Sequence, residues 1–146
     1  MVTRANPYSA ILKFRTATRD RFAMDVAAAT LDEGRCLRLH SAVEAESARE
    51  TNACRETVRE GEVHGASVLQ FSDYQIAQRA NLVAARANLT EAVAALTTCR
   101  AALNKADVAV RVVQTLRDRK LLAERAQRAR REQIEQDDRT GAARCV

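Results

Sequence analysis

A large apolar residue returns every seventh position through the second half of the chain, at Leu82, Leu89, Leu96, Leu103 and Val110. Three residues after each comes a mostly smaller one: Ala85, Ala92, Cys99, Ala106 and Val113. A three-then-four alternation sustained this long is the mark of a helix that buries one narrow stripe against another helix. Small residues at alternate seam positions let the two backbones approach closely. The register extends back to Val68 and Phe71 and forward to Arg117 and Lys120, where the apolar seam stops although helical composition continues. In the first half, Leu12, Phe22, Val26, Ala29, Cys36 and Val43 recur at helical spacings of three, four and seven. Glu33, Gly34 and His40 interrupt that face, so the pattern predicts a helix there with a looser register.

Between the two patterns lies REGEVHGASVLQFSDY, in which Gly61 and Gly65 bracket a turn and Ser67 is placed to cap the following helix. The expectation is one coiled-coil domain. It has a helix over about residues 8–60, a turn over about 61–66, a helix over about 67–138 and a disordered tail over about 139–146. A connection this short returns the chain antiparallel. The predicted fold class is all-α: two long helices forming an antiparallel coiled-coil hairpin with a C-terminal helical overhang. With the turn centred near His64, Tyr8 falls opposite Lys120 and Cys36 opposite about Ala92. Residues beyond Lys120 then have no first-helix partner.

Composition narrows the class further. Of the 47% hydrophobic residues much is Ala, aromatics reach only 3%, and there is no Trp, which argues against a thick globular core. One Pro and four Gly in the whole chain leave long helices uninterrupted. A net charge of +5 and a pI near 9.4 suit an acidic partner. The scarcity of aromatic stacking platforms weighs against nucleic acid, so no nucleic-acid partner is expected. No apolar run is long enough to span a bilayer, and Met1 to Arg21 lacks the features of a secretory signal, so the expected location is the cytoplasm. Cys36, Cys54, Cys99 and Cys145 are far apart and show no CxxC spacing. They are expected to be free thiols and not metal ligands. His40 and His64 have no Cys or Ser at catalytic spacing, and there is no phosphate-cradling glycine loop. The expectation is a non-enzyme without cofactor.

Two groups of residues stand out as partner contacts. Phe71 and Tyr74 lie together at the start of the second helix in a chain that owns few aromatics; one fits the seam, and the other is either an exposed anchor for a partner or joins it in closing the tip of the coil. The C-terminal stretch concentrates Arg111, Arg117, Arg119, Lys120, Arg125, Arg128, Arg130 and Arg131 against Asp118 and Glu124, with Glu124 and Arg128 spaced as a helical ion pair. It then turns acidic at Glu132, Glu135, Asp137 and Asp138, while Glu44, Glu46, Glu50, Glu56, Glu60 and Glu62 cluster before the turn.

The opening helix with Tyr8 and Leu12, the GAS entry followed by FSDY, the leucine ladder and the close TLRDRKLLAERAQRARREQIEQDD together resemble the flagellar export protein FliJ family of type III secretion stalk proteins. The resemblance implies a cytosolic antiparallel coiled coil, peripheral to an inner-membrane export apparatus, that couples a hexameric export ATPase to the platform protein of the export gate. It also implies contact with export chaperones. On that resemblance Phe71 and Tyr74 would lie near the gate-contacting tip. Arg117, Arg119, Lys120, Arg125, Arg128, Arg130 and Arg131 would meet the ATPase. A generic coiled-coil scaffold or adaptor is the alternative, and a nucleic-acid-binding basic helix a weaker one.

Overall fold

The computed structural model describes residues 7–61 and 65–143. They form two α-helices, α1 (Pro7–Arg59) and α2 (Gly65–Ala143), which pack on one another as an all-α hairpin. Pro7 occupies the first helical position, where its missing N–H would have had no partner anyway. Past Arg59, the Glu60 N–H donates to the Glu56 carbonyl at 3.0 Å and the Gly61 N–H to the Val58 carbonyl at 3.3 Å. Gly61 then takes a φ of 75°, a left-handed conformation that stops the helix and that a side chain would strain. The turn centre at His64 lies outside the described residues.

Both ends of α2 differ from the sequence expectation. The helix begins at Gly65, so Ser67 sits inside the first turn and not before it. Ala66, the best of helix formers, supports the earlier start. At the other end the helix runs on to Ala143, into the stretch expected to be disordered. No proline interrupts it, and Thr140 donates its hydroxyl to the carbonyls of Gln136 and Asp137 at 2.9 and 3.0 Å. Gly141 alone costs a helix only about 1 kcal/mol.

Packing groups the chain into two compact units. In the unit Phe22–Leu103, Leu96 and Ala92 are buried, at 3% and 6% exposure. They face a half-buried row on α1 that includes Phe22, Val26, Ala29, Cys36 and Val43. Glu33, Gly34 and His40 are half-buried on α1 as well, so the interruptions read from the sequence are genuine members of the packed face. Cys36 and Ala92 line the same inter-helix groove, and the Gln75 amide donates to the Thr51 hydroxyl at 3.1 Å, which fixes the antiparallel register. Toward the turn the apolar seam gives out. Val68 is half exposed, and Gln75 and Gln78 hold the seam positions that follow.

In the unit Met1–Arg21 with Asn104–Val146, Val110 and Ala106 are buried. The Lys120 ammonium lies 5.5 Å from the centre of the Tyr8 ring, a cation–π distance that places those two residues opposite each other as the turn-centred register requires. The Arg19 guanidinium is held above its ordinary pKa by its hydrogen bond to Asp20 and then by that carboxylate's charge, with Asp107 of α2 adding a smaller pull.

Candidate partner-binding surfaces

Neither tip aromatic is a free anchor. Phe71 and Tyr74 are both half-buried, which fits the reading in which both close the tip and not the one in which one stands exposed. The Tyr74 hydroxyl accepts a hydrogen bond of 2.6 Å from the Gln78 amide, and Gln78 is itself only 8% exposed. Residues four apart stack on one helix face, so the pair closes a polar layer beside the Gln75–Thr51 bond. A buried amide in a helical seam specifies pairing more than it stabilises. The apolar surface that does face solvent here is Leu69, 70% exposed, together with Val58, Val68 and Ile76. Apolar periodicity alone did not reveal Gln75 and Gln78. Their place in the heptad count from Leu82 was the available signal.

The basic helix splits in two. Arg117 and Lys120 continue the heptad of the seam and are half-buried. Arg117 donates twice to one Asp118 oxygen, at 3.1 and 3.0 Å, and Lys120 covers the Tyr8 ring. Both were expected to reach a partner, and both are engaged within the fold, where their long aliphatic stems can close the seam while the charges stay wet. Arg119 is exposed and lies on a shallow apolar cleft with Val108, Val112 and Leu116.

From Leu121 to Thr140 every side chain except Glu124 is exposed. Among the described residues Arg119, Arg125, Arg128, Arg130 and Arg131 make no ion pair. The expected pair between Glu124 and Arg128 is likewise not formed, since exposed i, i+4 contacts gain little over hydration. Five guanidiniums are therefore uncommitted, four of them on the end of α2 beyond Leu121, where almost nothing is buried.

The remaining chemistry-bearing residues are dispersed. Cys36, Cys54 and Cys99 are free and half-buried; Cys145 lies outside the described residues, as does His64. The His40 imidazole Nδ1 stands 3.6 Å from a Glu44 oxygen, an ion pair when the ring is protonated. Among the described residues no three His, Cys, Asp or Glu side chains come together as a metal site. Among the described residues no helix is long and apolar enough to cross a membrane. The chain matches no protein-family model, no curated protein and no solved structure. What it offers to a ligand is therefore read from its own surfaces.

Proposed function

We propose that the chain is a stalk component of a type III protein export apparatus of the flagellar kind. In this reading it binds and couples two machines without catalysis, linking a hexameric export ATPase to the platform of an export gate, and it works in the cytoplasm against the inner-membrane apparatus. Export chaperones are further candidate partners. The observation that carries the reading is the run of uncommitted arginines Arg125, Arg128, Arg130 and Arg131 on the part of α2 beyond Leu121, where almost nothing is buried. A helix in water draws most of its stability from an apolar face buried elsewhere. A stretch of helix that buries no such face gains stability when an acidic protein surface holds it. Arg117 and Lys120 drop out of the contact set, and Phe71 and Tyr74 act by shaping the tip and not as exposed anchors.

The test is binding of the full chain to the purified export ATPase across a salt series. The expected affinity falls steeply as salt rises, because exposed charges are screened within about 10 Å at 0.1 M. Replacing Arg125, Arg128, Arg130 and Arg131 together by Gln keeps helix propensity and removes four charges. That variant should lose at least about tenfold in affinity, or roughly 1.4 kcal/mol. Unchanged affinity and an unchanged salt slope would leave a coiled-coil scaffold with a solvated end.

A further inference from the structure

Within the unit Phe22–Leu103, α2 carries a second heptad on the side turned away from the seam. Ile76, Val83 and Thr90 hold one position and Ala80, Ala87 and Ala94 the other, and the alternation continues through Thr97 to Ala101. All of these are exposed, Ile76 and Val83 at 64% and 69%. The threonines count with the apolar set: Thr90 donates its hydroxyl to the Arg86 carbonyl at 2.9 Å and Thr97 to that of Val93 at 2.9 Å. With each hydroxyl satisfied by its own helix, the methyl is the group left to a neighbour.

From Ile76 to Ala101 the stripe carries no charge over roughly 38 Å of helix. Its flanks differ. On one side Arg79, Arg86 and Arg100 stand at heptad-related positions with exposed Val93 between them, and none of the three arginines makes an ion pair among the described residues. On the other side, occupied by Ala77, Ala84, Glu91 and Thr98, the one charge is Glu91.

We infer that this outer face of α2 is a docking surface for a second protein's amphipathic helix whose apolar seam is edged by carboxylates. The seven-residue spacing matches a helix and no extended peptide. Alanine at every second seam position admits a backbone at close range and offers too shallow an apolar relief for lipid insertion. The arginine row selects the sign of the partner's flank. A second copy docking by the same face antiparallel would bring the arginine rows together, which disfavours a symmetric contact. This surface is separate from the basic C-terminal helix and does not depend on the export reading.

The experiment uses the full chain and two labelled synthetic helical peptides that share one Leu/Ala seam, one flanked by Glu and one by Lys. Fluorescence anisotropy should show the Glu-flanked peptide binding at least tenfold more tightly. Joint Arg79→Glu and Arg86→Glu replacement should reverse that order. Ala87→Arg, at an exposed site, should leave helicity unchanged and weaken the Glu-flanked peptide at least tenfold even though it adds an attractive charge. Absence of peptide binding, or binding indifferent to Ala87→Arg, overturns the inference. So does self-association of the chain that Ala87→Arg abolishes, or binding to anionic phosphatidylglycerol vesicles in place of the peptide.

Discussion

Nine threonines donate their hydroxyls to their own helix four residues back, Thr51 and Thr98 among them, and so behave as stubby apolar residues with their polarity settled locally. That behaviour explains how a chain with so little bulk still presents apolar stripes. It also explains why the stripes were only partly legible: the ladder from Leu82 to Val113 could be read because Leu and Val announce it, whereas Thr and Gln at equivalent positions look polar in a list. Every ladder position is buried or half-buried. Burial separates Leu96 from Val83, at 3% and 69% exposure. Leu96→Ala should cost about 2–4 kcal/mol in urea unfolding, while Val83→Ala should stay within about 0.5 kcal/mol. Register is checked by Ala92→Cys, since Cys36 and Ala92 share a groove. Mild oxidation should give an intrachain bridge to Cys36 that is visible as a mobility shift on non-reducing gels, whereas the parent chain should keep its described thiols free.

Helix α2 holds two regimes along its length. From Leu82 to Val110 its ladder is packed against α1 in one unit or the other, and from Leu121 to Thr140 its side chains, Glu124 apart, face solvent. Amide exchange should therefore be slow across the first stretch and fast beyond Leu121, approaching the rate of an isolated helix. Uniform protection along the whole of α2 would show that something holds its end in the free protein. The point at which the apolar seam stops could be read from the sequence to within a residue or two. The fate of Arg117 and Lys120 could not, because composition groups them with the arginines that follow, and only the heptad count and the contacts to Asp118 and Tyr8 separate them. The far end was misjudged for a related reason. Residues 139–143 fall in the stretch read as a disordered tail, and α2 continues through them with no proline in the way.

At the scale of the molecule, two helices cannot enclose much. Four apolar side chains are buried among the described residues and eighteen large ones are exposed. The antiparallel pairing of α1 and α2 then rests on how α1 ends. Gly61 is the one described residue with positive φ, and a Cβ there would meet no neighbour within 4 Å, so the obstacle to substitution is the backbone angle alone. Gly61→Ala should raise the energy of the hairpin by about 1–2 kcal/mol and, where the chain runs straight through as helix, lower it by about 1 kcal/mol. Straightened, α1 can satisfy its seam only on the α2 of another molecule, a domain-swapped dimer. Light scattering on Gly61→Ala should show the mass doubling as concentration rises, with helicity preserved, under conditions where the parent stays monomeric. A single dihedral angle thereby decides whether α1 pairs within its own chain or is traded to a neighbour.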